Sequence, residues 1–466
     1  MTQRPNLILL GIDSLRADHM SLYGYPKLTT PHIDRYMKDG AVFTRHFCPS
    51  VPTSSGYSSM LTGLDCFGCG VVALRHEGGL APGARTLAET LGDAGYTTTC
   101  LGFSGNVGSR GFQKYLEFEG AWKGWEGRPL RKAENLNAVA LPELEQLAKQ
   151  DQPFFFFMRH MDPHSPYLPP PPFDTMFYQG DYADPANRSL DPVYAFKPFA
   201  EYLASWFPPG CTDKDFVIAQ YDGEIAYMDT CLALLFEKIR HLGLEENTLV
   251  VLTSDHGETL YDHDCYFDHH GLYDCTLAIP LAFRLPGRVP AGRHGLYTRH
   301  PDLVPTILDL LGVPVPENHP IDGHSLRRAI DGFPCPQTSE FYITEATWMR
   351  KHGWRTPEWK LIHALEPDFH FKPEVELYHL VDDPEENHNL AEARPDIVKR
   401  LEERMQAHIR EREAATGRPN PMYTNLNWHG CGGGPFKSSQ EAYDRMFIGS
   451  ADGARKLQER NKEKKA

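Results

Sequence analysis

The side chains with the clearest chemical potential are Asp13 and the adjacent pair Asp255 and His256. Asp13 ends the apolar stretch NLILLGID, and the pair follows the apolar stretch TLVVLT in the motif SDHGE. A carboxylate beside an imidazole offers mixed oxygen and nitrogen ligands to one divalent cation. An Asp-His pair alone is also typical of a capped turn, but a second Asp at a strand end favours a metal site.

The elements that must position these side chains are apolar strands followed by polar loops. This pattern recurs in NLILLGID, FFFFMRHMDPHSPY and TLVVLTSDHGE, and TLAETLGDAGYTTTCLGF is typical of an amphipathic helix, a Gly turn and a further strand. The alternation predicts an α/β fold with a mainly parallel sheet. Because ligands of such sheets bind beyond the carboxyl ends of the strands, we expect the polar residues there to converge.

Size and charge limit the class of protein. A chain of 466 residues predicts one large domain and a smaller one, and its 41% hydrophobic content is ordinary for a globular protein. A net charge of -15 argues against nucleic acid and anionic membranes as partners. The first apolar run is too short for a secretory or membrane-spanning segment, so we expect a cytoplasmic enzyme.

Cysteine is too sparse for a disulfide scaffold, with ten residues in the chain. Cys66 and Cys69 form a lone CxxC without a second ligand pair, which favours a tight turn over a zinc site.

Three regions are predicted along the chain. Residues 1–335 form the catalytic domain, residues 336–414 a smaller C-terminal α+β subdomain, and residues 415–466 a Gly-rich and then charged tail. The Pro-rich stretch at 169–199 is typical of a long loop on the substrate side. The tail segment NWHGCGGGPF is either a flexible surface arm or a contact within a homo-oligomer.

Six stretches resemble, in this order, the sulfatase-like branch of the alkaline phosphatase superfamily. They begin RPNLILLGID, TSSGYSSMLTG, MDPHSPY, TSDHGETLYDH, HHGLYDC and ELYHLVDDPEENHNLA, and they span about the first 400 residues. Phosphonate monoester hydrolases and arylsulfatases are similar in layout. The resemblance implies an alkaline phosphatase-like sandwich with a mainly parallel central sheet, a smaller C-terminal part and a small anionic ester as substrate.

The resemblance also implies the position of the nucleophile. In the sulfatase signature a Cys or Ser stands ten positions before a Thr-Gly glycine, is oxidised to formylglycine, and is followed by Pro and Arg. Counting back from Gly63 places Thr53 at this position, with Ser55 in place of the Pro and Tyr57 in place of the Arg. Cys48 lies outside the register, so formylglycine cannot form here.

A Thr nucleophile favours phosphorus over sulfur as the attacked atom. A metal-coordinated hydroxyl is acidified and can attack phosphorus, and Thr serves this way in phosphatase and phosphotransferase relatives. A sulfated Thr lacks the hemiacetal route by which formylglycine expels sulfate. We therefore expect hydrolysis of phosphate diesters or phosphonate monoesters.

The resemblance implies one metal site, with ligands Asp13, Thr53, Asp255 and His256 and with Ser14 as a further candidate. One imidazole and few carboxylates favour manganese or zinc over calcium, and magnesium is also possible. One ion is expected rather than two.

The same resemblance assigns catalytic and binding roles around the metal. His164 contacts the transferred group or the leaving group. His269 stands where the family has a Lys, and it and His270 are catalytic candidates as acids or hydrogen-bond donors. Substrate-binding candidates are Tyr57, Arg75 and His76. His160 is expected to be a packed structural histidine.

The absence of the signature Arg and Lys removes two positive charges, which favours a monoanionic ester. Two alternatives stay open. One is a sulfuric ester hydrolase that acts without formylglycine. The other is an inactive relative that binds an anion, which the retention of a nucleophile together with its metal ligands argues against.

Overall fold

A computed structural model describes residues 4–74, 76, 78–118, 132–368, 370–424 and the single residues 438, 441 and 444. The strands are β1 Asn6–Ile12, β2 Ala41–Phe47, β3 Ser50–Val51, β4 Thr97–Leu101, β5 Lys114–Leu116, β6 Phe154–His160, β7 Thr248–Ser254, β8 Ala278–Arg284, β9 Gly292–His294, β10 Thr298–Arg299, β11 Phe341–Ala346, β12 Arg350–Arg355, β13 Trp359–Ala364 and β14 Val375–His379. The helices are α1 Pro31–Met37, α2 Thr53–Thr62, α3 Cys66–Cys69, α4 Leu87–Asp93, α5 Lys132–Leu147, α6 Asp191–Ala195, α7 Lys197–Ala204, α8 Lys214–His241, α9 Asp274–Leu277, α10 Leu303–Leu311, α11 Arg327–Ile330, α12 Pro395–Thr416 and α13 Pro421–Thr424.

The central sheet has the strand order β10-β2-β8-β7-β1-β6-β4-β5, with β9 also paired to β2. Strand β1 lies parallel to both β6 and β7, and among the described strand pairs of this sheet only β2–β8 and β7–β8 are antiparallel. Ile12 pairs with His160 on one side and with Ser254 on the other. The residues that follow these three strands therefore emerge at one edge, as predicted.

Both faces of the sheet are covered, which explains the nearly unbroken apolar strands. Ile8 and Leu10 of β1 pack in one core cluster with residues of α1, α5 and α8. Leu7 and Leu9 point to the opposite face and pack with residues of α2, α4 and α10. None of the described helices is both long and apolar enough to span a membrane.

A second sheet of order β14-β13-β12-β11-β3 forms the smaller part, and α12 packs on it through Ile397, Leu401 and Met405. This mixed sheet and helix confirm the α+β character predicted for the C-terminal region. Its edge strand β3 comes from residues 50–51, which are parallel to β11. The smaller sheet is thus completed by a segment that directly precedes Thr53.

The predicted tail is partly incorporated into the fold. Helix α12 ends at Thr416, and the chain then packs back on the body. Arg418 donates to the Phe67 carbonyl oxygen at 2.6 Å, Asn420 donates to the Tyr342 hydroxyl at 3.0 Å, and Met422 is fully buried. The packed part of the chain therefore continues about ten residues past residue 415, where the tail was predicted to begin, and the Gly-rich segment at 427–436 lies outside the described residues.

Candidate active site and metal centre

The loops that follow β1 and β7 bring Asp13, Asp255 and His256 together. His256 Nε2 lies 3.4 Å from Asp255 Oδ2 and 4.0 Å from Asp13 Oδ1. One ligand atom from each residue falls within 4.8 Å of the others, and all three side chains are fully buried. The structure thus joins the carboxylates and the imidazole that the sequence pointed to.

Hydrogen bonds between side chains and the main chain hold these two loops against each other. Ser254 Oγ lies 2.6 Å from both the Ile12 and the His256 carbonyl oxygens, and it accepts a hydrogen bond from the Leu15 N–H at 3.0 Å. The Ser14 N–H donates to Asp255 Oδ1 at 3.2 Å. These bonds hold Asp255 and the chain on either side of Asp13 in fixed positions.

Thr53 joins this cluster as the first residue of α2. Its Oγ1 lies 3.1 Å from His256 Nε2. The amino-terminal end of a helix carries free N–H groups and a partial positive charge, which stabilise an anion placed there. The Thr53 hydroxyl is therefore adjacent both to the cluster and to a favourable site for an anionic ester.

The donor set fits a divalent cation. His256 Nδ1 lies 2.8 Å from the Gly257 carbonyl oxygen, so Nδ1 carries the proton and the lone pair of Nε2 faces Thr53 and the carboxylates. Asp255 Oδ2 is buried without a hydrogen-bond partner among the described residues. A buried carboxylate oxygen without a partner is costly, and a cation would satisfy it.

The two carboxylates differ in their acidity. Burial opposes ionisation of Asp13, but the Arg159 guanidinium, with His164 and His256, holds its pKa well below the usual range. Burial and repulsion by the Asp13 carboxylate raise the pKa of Asp255 to about 7. A cation at the cluster would displace the proton from Asp255 near neutral pH.

Arg159 is a site residue that the sequence analysis did not identify. It lies near the carboxyl end of β6, and its Nε donates to Asp13 Oδ2 at 3.0 Å while its Nη2 contacts the same oxygen. Its guanidinium carbon lies 5.2 Å from the Phe103 ring centre and 5.9 Å from that of Tyr57. Its position directly before His160 at a strand end was the available signal.

Tyr57, a predicted substrate-binding residue, lies in the core beside the cluster, and its binding role stays a prediction. Its ring is fully buried and packs against Phe103 and Phe157, and its hydroxyl donates to the Gly11 carbonyl oxygen at 3.1 Å. Because α2 turns this side chain toward the sheet, Tyr57 is a core residue.

His269 and His164 lie next to the cluster. The ring centres of His269 and His256 are 4.6 Å apart, and those of His164 and His269 are 5.9 Å apart. Burial lowers the pKa of His269 to about 4, although Asp268 opposes this, and burial also lowers the pKa of His164. Both rings are therefore neutral near pH 7 and each can donate one N–H.

The loop that carries His164 is held by Lys132, a second basic residue that the sequence analysis missed. Lys132 Nζ donates to the His164 carbonyl oxygen at 2.9 Å and lies 3.3 Å from Asp162 Oδ1. Both side chains of this ion pair are largely buried, so the charge of Lys132 is compensated within the loop.

His270 occupies a different environment from His269. Its Nδ1 lies 3.4 Å from Glu345 and its Nε2 lies 3.4 Å from Asp368, which in turn contacts Lys351. Burial opposes the charged ring, but the two carboxylates raise the pKa of His270 to about 9. The structure places this ring in an ion-pair network with the smaller sheet, and its catalytic role stays a prediction.

The other candidates are placed as follows. Ser14 Oγ lies 3.3 Å from Asp13 Oδ1, beside the predicted metal, and His76 Nε2 lies 3.3 Å from the Gly79 carbonyl oxygen. Arg75 lies outside the described residues. His160 is fully buried, as predicted. The thiol of Cys48 donates to the Ser50 carbonyl oxygen, and Cys48 does not occupy the signature position, which is residue 53.

Glu258 extends the cluster and was also missed. A ligand atom of Glu258 lies within 4.8 Å of atoms of His256 and His269, and its Oε1 accepts from the Tyr167 hydroxyl at 2.6 Å. Both candidate groups contain His256, whose Nδ1 is engaged with Gly257. The two groups therefore compete for one ring nitrogen.

Comparison with known proteins gives a consistent result. The sulfatase family model matches residues 5–313, and the C-terminal model of N-sulphoglucosamine sulphohydrolase matches residues 262–412. The chain is 24% identical to the N-acetylglucosamine-6-O-sulfatase of Bacteroides thetaiotaomicron, over 87% of this chain and 86% of that protein. It is 25% identical to an arylsulfatase of Clostridium perfringens, over 70% of this chain and 79% of that protein.

A solved structure shows the same fold. The phosphonate monoester hydrolase of Agrobacterium radiobacter superimposes with a TM-score of 0.71 at 24% identity, over 89% of this chain and 96% of that chain. The fold and the site define a hydrolase of ester bonds with a candidate metal centre at the carboxyl ends of its central strands. The chain belongs to the sulfatase family of the alkaline phosphatase superfamily.

Proposed function

We propose that the protein hydrolyses phosphate diesters or phosphonate monoesters with Thr53 as its nucleophile. The observation that carries this proposal is the position of Thr53 Oγ1, at the amino-terminal end of α2 and 3.1 Å from His256 Nε2. A hydroxyl held beside two carboxylates and an imidazole matches an activated nucleophile.

Asp13, Asp255 and His256, with the Thr53 hydroxyl, would hold one divalent ion, for which manganese or zinc suits the oxygen and nitrogen donors. When bound, such an ion supplies positive charge that acidifies the hydroxyl and offsets negative charge on the transferred group. The Nδ1–H···O=C bond from His256 to Gly257 keeps the Nε2 lone pair directed at this position.

The chain's own residues then account for two displacement steps. Thr53 Oγ1 loses its proton to solvent and forms a bond to phosphorus, while the bond from phosphorus to the leaving-group oxygen breaks. That oxygen accepts a hydrogen bond from the N–H of His164 or His269, whose rings lie beside the cluster, and takes its proton from water. Water then attacks phosphorus, and Thr53 Oγ1 departs and regains a proton.

The preference for phosphorus rests on the chemistry of Thr. A sulfated formylglycine can expel sulfate because its second hydroxyl re-forms the aldehyde, whereas a Thr ester has no such route. The second candidate function is hydrolysis of sulfate esters without formylglycine, and it is favoured by the sulfatase names of the relatives.

The deciding experiment compares matched nitrophenyl esters on one purified sample with manganese or zinc supplied. The panel contains a phosphate monoester, a phosphate diester, a phosphonate monoester and a sulfate. We expect diester or phosphonate turnover to dominate, to fall by at least about a thousandfold in Thr53→Ala, and to survive in part in Thr53→Ser. Dominant sulfate turnover would support the second candidate, and full activity of Thr53→Ala would refute Thr53 as the nucleophile.

A cytoplasmic location and assembly through the C-terminal residues complete the proposal. Truncation after Thr424 keeps the residues that pack on the body and removes the Gly-rich segment. If that segment contributes to an oligomer, the truncated protein should elute at a smaller size in gel filtration, whereas an unchanged size would refute the contact.

A further inference from the structure

The guanidinium of Arg159 is fixed in place at the edge of the candidate metal centre. Arg159 pairs with Gly11 between the parallel strands β1 and β6, so its side chain emerges at the strand ends beside Asp13. The Asp13 carboxylate holds one side of the guanidinium, and the Tyr57 and Phe103 rings lie on its other sides. Such contacts restrict the motion of a long side chain, which lowers the entropy cost of binding a ligand.

Arg159 has binding capacity left after its contact with Asp13. A guanidinium carries more N–H groups than one carboxylate accepts, and Nε and Nη2 are the donors that Asp13 engages. The Asp13 carboxylate does not engage the N–H groups of Nη1. The side chain is 17% exposed, so it reaches solvent at the site while Asp13 itself is fully buried.

We propose that Arg159 binds the anionic oxygen of the substrate, supplying from β6 the positive charge that position 57 lacks. This inference rests on the proposed function. Tyr57 and Arg159 are complementary in the structure, because the phenol ring of Tyr57 packs beneath the guanidinium and its hydroxyl is engaged with the Gly11 carbonyl. An arginine at position 57 would place a second positive charge next to Arg159, and the two would repel each other.

Arg159 also determines the preferred charge of the substrate. With a divalent ion bound, Asp13 and Asp255 carry two negative charges, while the ion and Arg159 carry three positive charges. These four groups together carry one net positive charge, which matches a monoanion such as a phosphate diester or a phosphonate monoester. Lys132 does not alter this balance, because its charge is compensated by Asp162.

The test measures binding rather than turnover. In the Thr53→Ala background, loaded with manganese, the probes are methyl phenylphosphonate, which is a monoanion, and dimethyl phenylphosphonate, which is neutral. Adding Arg159→Gln should weaken binding of the monoanion by about 10- to 100-fold, since a charge-assisted hydrogen bond is lost. Binding of the neutral probe should not change, and Arg159→Lys should give an intermediate result.

Arg284→Gln provides a matched control. Arg284 also lies at the end of a central strand, is 11% exposed and pairs with Glu245 at 2.8 Å. Its loss should leave both affinities unchanged. Manganese content, measured on every variant, should stay at the level of the parent.

Three results would overturn the proposal. These are an unchanged affinity of Arg159→Gln for the monoanion, a loss of affinity that follows a loss of manganese, and a parent that binds both probes equally. Failure of the proposed function appears separately, as the absence of phosphonate turnover by the wild-type enzyme.

Discussion

Gly56 of α2 touches the backbone of Asp255. A β-carbon on Gly56 would lie 2.5 Å from the Asp255 carbonyl oxygen, closer than any real contact of this kind. The helix that carries Thr53 is therefore pressed directly against the loop that carries the candidate metal ligands. The absence of a side chain at position 56 lets Thr53 approach the candidate metal ligands this closely.

Gly56→Ala should separate these two elements. We expect kcat/KM to fall by about 100-fold or more, because displacement of a reacting group by about 1 Å costs that much. The control is Gly92→Ala in α4, where the nearest atom would be 3.8 Å away and Ala is the better helix former. Equal activities of the two variants, at matched folded fractions from circular dichroism, would contradict the tight contact.

Metal affinity should depend on pH through Asp255. Burial and the neighbouring Asp13 raise the pKa of Asp255 to about 7, so a proton competes with the metal below that pH. The apparent affinity for manganese should therefore fall by up to about tenfold for each pH unit below 7 and level off above it. Titration calorimetry between about pH 5.5 and 8.5 measures this. Asp255→Asn should bind manganese more weakly, and its affinity should not fall below pH 7. A pH dependence of unchanged size in that variant would assign the effect to another group.

The neutral histidines should matter most for poor leaving groups. His164→Asn and His269→Asn keep side-chain polarity but remove the imidazole, so the variant that loses the hydrogen bond to the leaving-group oxygen should be slowed more as the leaving-group pKa rises. A series of substituted phenyl phosphonates gives the slope of log kcat/KM against that pKa. We expect one variant to show a steeper slope than wild type. Parallel slopes for all three proteins would exclude both residues as hydrogen-bond donors to the leaving group.

Stability should fall at alkaline pH because of His270. Burial opposes its charge, but Glu345 and Asp368 raise its pKa to about 9, above the unfolded value of about 6.5. A raised pKa adds stability that is complete below about pH 6.5 and is lost as pH rises through 9, and its full size is about 3 kcal/mol. Urea unfolding at several pH values should show this decline in wild type. His270→Gln should show less of it, and an identical decline would point to other groups.

The sequence analysis succeeded where local pattern determines position. Apolar runs with polar ends predicted β1, β6 and β7, and their parallel pairing brought Asp13 and Asp255 together at one edge. Thr53 came from the resemblance to a family signature, and its Oγ1 does lie beside His256. These features depend on residues close in the chain and on a common rule for parallel sheets.

The features that were missed depend on contacts between distant segments. Arg159 is one basic residue in an aromatic strand, and its role follows from Asp13, which is far away in the chain. Tyr57 was predicted to bind substrate because it stands at the Arg position of the family signature, whereas the orientation of α2 turns its side chain into the core. His270 meets carboxylates contributed by the smaller sheet and its adjoining loop. Side-chain direction and long-range partners were not contained in the local pattern.

Strand β3 connects the smaller sheet directly to the candidate active site. Ser50 and Val51 pair with Thr344 and Glu345 of β11, and the chain enters α2 two residues after Val51. Any shift of the C-terminal region is thereby transmitted along the backbone to Thr53. A chimera that exchanges residues 336–424 with those of a relative must therefore preserve the hydrogen-bonding edge of β11, or the graft will displace Thr53 although neither Thr53 nor a candidate metal ligand has been replaced.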